Sequence, residues 1–324
     1  MDRGGVQMGT LGIRLLGVVR IGHEGLSTQT KIWRQIKGLL AYLILFRHRF
    51  HTREVLTGLF WGDQREDRAR KCLSTALWRL RKVLEPDGIR RGTYLVTTSR
   101  GEVGFNRDSD YRLDVATLEN HSTKSLTKPV HALTTAEVCE LENALALYTG
   151  ELLEGFYDEW VLTERERLRT LYLGSQAHLL QYYQHHRAYN MGLACGHKIL
   201  DLDPLREEIH REIMRLYYYN GQRALALRQY KTCRKILAEE LNVEPMDETR
   251  SLLARICRNT VDERNQACPM DLRTARRTLQ QLRVALHEFD DSAKHLQQAT
   301  DRVEQVFGSQ NLTDYLQNQL IEHA

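Results

Sequence analysis

No apolar run in this 324-residue chain reaches the roughly eighteen residues that a helix needs to cross a bilayer. The longest, Leu39 to Phe46, has the length of a buried helix segment. Near the N-terminus the stretch Leu11 to Ile21 is interrupted by Arg14 and Arg20, so no secretory h-region is present there. A cytoplasmic protein without membrane contact is expected. The six cysteines, at 72, 139, 195, 233, 257 and 268, include no Cys-x-x-Cys pair, and no His stands at metal-finger spacing. Neither a disulfide framework nor a zinc finger is expected, and the cysteines read as ordinary buried thiols.

Catalytic signatures are missing as well. No Gly-x-Ser-x-Gly elbow, His-Glu-x-x-His helix or Gly-x-Gly-x-x-Gly loop occurs. His48 and His51 lie close together, and His185 and His186 are adjacent, yet neither pair has a carboxylate or Cys at metal-ligand spacing. They read as surface or helix-end histidines. An enzyme is not expected, nor a metal or cofactor.

What is present is the composition of globular material, 42% apolar and 27% charged, at a length that suggests two or three domains. Charge is divided unevenly. Residues 1–121 hold 21 basic and 13 acidic side chains, net +8, whereas residues 122–324 hold 25 and 29, net −4. The part that faces a polyanion is therefore N-terminal.

The segment "LGIRLLGVVRIGH" (11–23), punctuated by Gly12, Gly17 and Gly22, reads as two short strands. Ile36, Leu39, Leu40, Leu43 and Ile44 then form one helical stripe. Thr52 is placed to cap a second helix carrying Leu56, Leu59 and Phe60, which Gly62 ends. Asp63 with Glu66 resembles a capping pair for a third helix, stopped by Pro86. Its Ala69, Leu73, Ala76, Leu77, Leu80 and Leu84 share a face, leaving Arg70, Lys71, Ser74, Thr75, Trp78, Arg79, Arg81 and Lys82 on the remaining arc. Between Arg68 and Lys82 there is no acidic side chain. "YLVTTSRGEVGF" (94–105) follows as a hairpin with Gly101 in its turn.

Three helices, the third basic, and then a hairpin with Arg100 near its tip is the order of a winged helix-turn-helix. A major groove admits such a helix, flanking cations neutralise phosphates, and a wing can place an Arg in the minor groove. The plainer account is a solvated helix face, but such faces usually mix signs.

Beyond residue 130 the pattern is helical throughout. One helix ends near Gly150, and Thr163 with Glu166 reads as the capping box of the next. "RAYNMGLACGHKILDLDP" (187–204) and "GQRALALRQYKTCRKIL" (221–237) align at an offset of 34 residues, the tetratricopeptide period, with Gly192 over Ala226 and with Pro204 and Pro245 between units. A generic helical bundle with accidental spacing is the alternative. From Leu272 to Phe307 an a/d heptad pattern runs through Leu279, Leu282, Leu286, Phe289 and Leu296. It suits either a homodimer through 270–308 or one amphipathic helix folded back on the rest.

The texts "GLLAYLILFRHRFHTREVLTGLFWGD" (38–63), "CLSTALWRLRKVLEP" (72–86), "GFNRDSDYRLDVATLE" (104–119), "GELLEGFYDEWVLTERERLR" (150–169) and "LDPLREEIHREIMRLYYYNGQRALALRQYKTCRKILAEELNVEP" (202–245) together resemble SARP-type bacterial regulators. In that family an OmpR-type winged-helix DNA-binding domain precedes a bacterial transcriptional activation domain (BTAD). The resemblance implies a mainly α fold with a small β component. A winged helix over 1–115 is followed by a tetratricopeptide-like domain over 116–262 and a helical or coiled-coil segment over 263–324. It also implies an activator that binds double-stranded promoter DNA and contacts RNA polymerase through sigma and other subunits. By position, Arg70, Lys71, Ser74, Thr75, Trp78, Arg79 and Lys82 would face the major groove or its phosphates, with Arg53, Ser99 and Arg100 as further contacts. The indole of Trp78 suits either sugar-phosphate contact or an anchor in the helix-turn-helix core. Larger members often carry an ATPase module, but here no Gly-x-x-x-x-Gly-Lys-[Ser/Thr] loop occurs and no receiver domain precedes residue 10. Regulation within this chain by nucleotide hydrolysis or aspartyl phosphorylation is not expected. A competing reading is a tetratricopeptide-like adaptor whose winged helix binds protein instead of DNA.

Overall fold

The computed structural model describes residues 10–23 and 33–258. The chain divides into two units, Met1–Ile256 and Cys257–Ala324, and the described residues lie almost wholly in the first. The heptads at 270–308, with the dimer and coiled-coil expectations, and Cys268 lie outside the described residues.

Strands β1 (Leu11–Arg14) and β2 (Arg20–His23) pair antiparallel, Leu11 opposite His23. Between them Gly17 adopts φ +81°, and a Cβ there would meet Thr149 Oγ1 at 2.9 Å, so backbone freedom and close approach both require glycine. Three helices follow, α1 (Arg34–Leu45), α2 (Arg53–Trp61) and α3 (Glu66–Leu84), and then the hairpin of β3 (Leu95–Thr97) and β4 (Val103–Phe105). Strand β5 (Tyr111–Leu113), which the sequence reading passed over, returns to pair parallel with β1. The helical half comprises α4 (Asp114–Leu126), α5 (Thr135–Leu145), α6 (Glu159–His185), α7 (Tyr189–Leu202), α8 (Glu207–Tyr219), α9 (Arg223–Glu240) and α10 (Asp247–Arg258). The result is the expected mainly α fold with a small β component, a winged helix followed by a repeat-like helical domain.

The apolar stripe Ile36, Leu39, Leu40, Leu43 and Ile44 is buried as its spacing requires. One continuous core runs from Leu11 to Leu216 and joins the winged helix to the first helices after it. The junction is also hydrogen-bonded. Asp114, buried at the start of α4, accepts from the amides of Leu15 and Leu16 at 2.8 and 2.9 Å. Leu153 donates to the Leu15 carbonyl, and Arg165 on α6 donates to the carbonyls of Leu152, Leu153 and Phe156. Arg34 at the start of α1 donates to the Gly155 carbonyl and lies over the Phe156 ring. These backbone and carboxylate groups, closed off from water at the seam, thus have partners, as burial demands, while the Trp160 indole N–H packed against Tyr42, Phe46 and Phe60 has none among the described residues.

Helices α7 and α9 begin 34 residues apart, at Tyr189 and Arg223. A Cβ on Gly192 would stand 3.1 Å from Leu216 Cδ1, and one on Gly196 only 2.7 Å from Ile213 Cγ1. These glycines let α7 press against α8, and Ala226 is fully buried at the equivalent place on α9. A second, smaller core of Met214, Ala226, Leu252 and Ile256 seats α10.

Several local expectations are corrected. Helix α3 starts at Glu66 with Arg65 before it and no side-chain cap, so Asp63 is not its cap; Glu66 and Asp67 complement the positive helix end instead. Helix α6 starts at Glu159, four residues before Thr163, because Val161 is fully buried and carries the helix back one turn. The Thr163 hydroxyl donates to the Glu159 carbonyl inside the helix. The capping box belongs to Thr134 and Glu137 on α5, which ends at Leu145, short of Gly150. Leu59 is exposed on α2. Among the described residues only Cys195 and Cys233 are buried thiols; Cys72 is half-buried, and Cys139 and Cys257 are exposed. His51 is buried as well, 4.9 Å from the Tyr42 ring, because its backbone pairs with Val103. Among the described residues no helix is long and apolar enough to cross a membrane.

Candidate nucleic-acid interface

The surface is built by α2, α3 and the hairpin. Thr52 accepts from the Val55 amide and starts α2, as its residue type predicts. On α3 the six apolar positions read from the sequence, Ala69, Leu73, Ala76, Leu77, Leu80 and Leu84, are the six that are buried. At about 100° per residue, the opposite arc has Lys71, Thr75, Trp78 and Lys82 along its middle. Ser74 and Arg81 lie toward α2 and the hairpin, and Arg79 on the other edge.

All seven α3 residues predicted to face a duplex, Arg70, Lys71, Ser74, Thr75, Trp78, Arg79 and Lys82, are exposed. Trp78 is 60% exposed, so it is not an anchor of the helix-turn-helix core. The side chains differ in how free they are. Arg70 is held by Glu66 at 2.5 Å, an exposed i,i+4 pair of the kind that contributes little to stability. Arg79 lies over the Trp33 ring, 5.2 Å from its centroid. Ser74 Oγ donates to the Arg70 carbonyl and accepts from Arg53 of α2 at 2.6 Å, tying the two helices of the motif together. Thr75 Oγ1 donates to the Lys71 carbonyl at 3.0 Å.

At the far side, Ser99 and Arg100 are the central residues of a turn closed by the Gly101 amide on the Thr98 carbonyl, and both are exposed. Gly101 takes φ +82° there. The hairpin is fixed to the helices at two points. His51 and Val103 exchange backbone hydrogen bonds at 2.8 Å, and Arg81 donates to Thr97 Oγ1 at 2.7 Å. Burial, with Arg91 nearby, lowers the Arg81 pKa, while Glu85 opposes the shift. Glu85 itself accepts from the amides of Gly92, Tyr94 and Leu95 and so anchors the loop into the hairpin. Arg81 stood on the exposed arc in the sequence but outside the site set, although its place beside the buried Leu77 and Leu84 marked it as a residue reaching across an edge. Trp33 was missed because nothing periodic links it to α3.

Elsewhere a cleft of about 690 Å³ lies between the end of α1, the Arg107–Tyr111 loop, α4 and α6. Arg167 pairs there with Glu119 and Glu164 at 2.5 and 2.8 Å. Among the described residues no three His, Cys, Asp or Glu side chains are grouped as a metal site needs.

Residues 113–257 match the family model of the bacterial transcriptional activator domain. Regulatory protein AfsR of Streptomyces coelicolor is 28% identical over 260 residues, covering 77% of this chain and 24% of its own length. The chain therefore spans about a quarter of the AfsR relatives it matches. Transcriptional regulatory protein MoaR1 of Mycobacterium tuberculosis is 24% identical over 262 residues, covering 77% of this chain and 80% of its own. Among solved structures, Mycobacterium tuberculosis EmbR in complex with a low-affinity phosphopeptide superposes with a TM-score of 0.62 at 20% identity, over 79% of this chain and 66% of that one, a likeness of fold. The chain thus matches the bacterial transcriptional activator domain over residues 113–257, and in sequence and in its winged-helix-plus-repeat architecture it is similar to SARP-type bacterial transcriptional regulators.

Proposed function

We propose that this chain is a sequence-specific DNA-binding activator that holds double-stranded promoter DNA with its winged helix, residues 1–115. In this reading the helical domain, residues 116–262, contacts RNA polymerase, sigma among its subunits. The observation that carries the DNA-binding part is the solvent-facing arc of α3, cationic from Arg68 to Lys82 without one acid and set beside an exposed wing tip. An arc of one sign suits phosphate neutralisation and counterion release. Thr75 and Trp78 enter the major groove, with Lys71 and Lys82 beside them reaching its flanking phosphates. Arg53, Arg70, Ser74 and Arg79 border it and meet phosphates, and Ser99 and Arg100 follow the backbone toward the minor groove.

Selection of bound sites from a random duplex pool by the full chain tests the reading. Enrichment of one short motif is the expected result. A pool that stays random, with no retention on duplex at low salt, refutes DNA binding and favours the adaptor, in which the winged helix binds protein.

A further inference from the structure

The α3 arc has no amide or carboxylate side chain from Arg68 to Lys82, so the usual partners of adenine and cytosine are missing from it. Two of its arginines are also engaged, Arg70 by Glu66 and Arg79 by Trp33. What remains in the middle of the arc is Thr75 and Trp78, one turn apart and flanked by Lys71 and Lys82. Residues three apart are neighbours on a helix surface. The Thr75 hydroxyl donates its one proton to the Lys71 carbonyl, so outward it can offer its methyl and an acceptor lone pair but no donor. The Trp78 indole is 60% exposed and has no hydrogen-bond or ring partner among the described residues. An apolar pair centred on a cationic helix face matches one feature of duplex DNA. The C5-methyl of thymine is the apolar group that the major groove displays.

We infer that Thr75 and Trp78 form a thymine-methyl reader, and that this contact, more than arginine–guanine pairing, sets the sequence preference of the chain. The inference rests on the proposed DNA binding and names what that same site selects. Lys71 and Lys82 hold the flanking phosphates and bring the apolar pair to the floor of the groove. No bond is made or broken; the gain is the burial of methyl and indole surface.

The test uses a duplex selected from the random pool by the full chain and a series of copies in which each thymine in turn is replaced by uracil. That change deletes one methyl and leaves pairing and phosphates intact. Affinities are measured by fluorescence anisotropy for the native chain, Trp78→Ala, Trp78→Phe and Thr75→Ser. At one or two positions uracil weakens the native chain about fourfold, the equivalent of one buried methyl group. Trp78→Ala and Thr75→Ser lose that sensitivity, and Trp78→Phe keeps part of it. If the native chain is indifferent to every uracil, or Trp78→Ala retains the full penalty, the inference falls. It falls equally if Trp78→Ala weakens all duplexes alike, which places the indole on the sugar-phosphate backbone while leaving DNA binding intact. Failure to retain any duplex overturns the proposed function itself, and this inference with it.

Discussion

The guanidinium of Arg79 lies over the indole of Trp33, 5.2 Å from the ring centroid, and so crosses from α3 to the residue that precedes α1. Both groups are exposed, which limits such a contact to under about 1 kcal/mol. Trp33→Ala is therefore expected to change stability to urea by no more than that. Arg79→Ala, removing a cation at the edge of the arc, should weaken all duplexes alike and reduce the salt slope by about one. Anisotropy titrations on selected and scrambled duplexes at several salt concentrations check this. A loss confined to one base position would show Arg79 reading a base.

Asp114 joins the sheet to the helical half through both carboxylate oxygens, one accepting from Leu15 and Leu16 and the other from Val115. An amide carries only one acceptor oxygen, so Asp114→Asn leaves an amide hydrogen facing an amide hydrogen. A cost of about 1–3 kcal/mol in urea unfolding is expected. Burial also raises the Asp114 pKa against the pull of those hydrogen bonds. A carboxyl with a raised folded pKa binds its proton more tightly folded than unfolded. Its contribution therefore grows as pH falls through the folded value and levels off below the unfolded one. Comparing native and Asp114→Asn unfolding free energies across mildly acidic pH isolates that trend.

Glu137 behaves with the opposite sign. Its hydrogen bond from Lys128, with those at the Thr134 cap, lowers its pKa from 4.5 to about 2. The stabilisation is present above 4.5 and is lost as pH falls toward 2. Glu137→Gln can keep the cap hydrogen bonds but not the ion pair, so it should flatten the thermal stability profile over that window. A native slope that survives the substitution would assign it to other carboxylates.

Gly196 on α7 has the side chain of Ile213 where its own Cβ would stand, at 2.7 Å, and Ile213 is fully buried. Gly196→Ala should cost about 1–3 kcal/mol by overpacking. Gly192→Ala, whose nearest neighbour is the end of Leu216 at 3.1 Å, should cost less. Chemical denaturation of the two variants measures the difference.

The buried face of α3 was readable because six apolar residues, from Ala69 to Leu84, repeat at helical spacing over about four turns. The α1 stripe, the Thr52 cap and the 34-residue offset between α7 and α9 were legible for the same reason. Helix starts were harder. Thr163 and Glu166 satisfy the capping pattern by composition, yet the burial of Val161 extends α6 past them, and tertiary packing outweighs a cap motif. Strand β5 is three residues long and pairs with a strand about a hundred residues away, so no local alternation announces it. At the interface, spacing found the exposed set on α3. Which members are free is decided by Glu66, Trp33 and Arg53, and of these only Glu66 stands at a helical interval.

The central claim is that the cationic arc of α3 holds duplex DNA. Its most direct test is the dependence of duplex affinity on salt for the full chain and for the double variant Lys71→Gln, Lys82→Gln. Both side chains are exposed, so folding should be unaffected. The slope of log affinity against log salt is expected to fall in magnitude by about two, with weaker binding to every sequence. An unchanged slope at unchanged affinity would contradict the account.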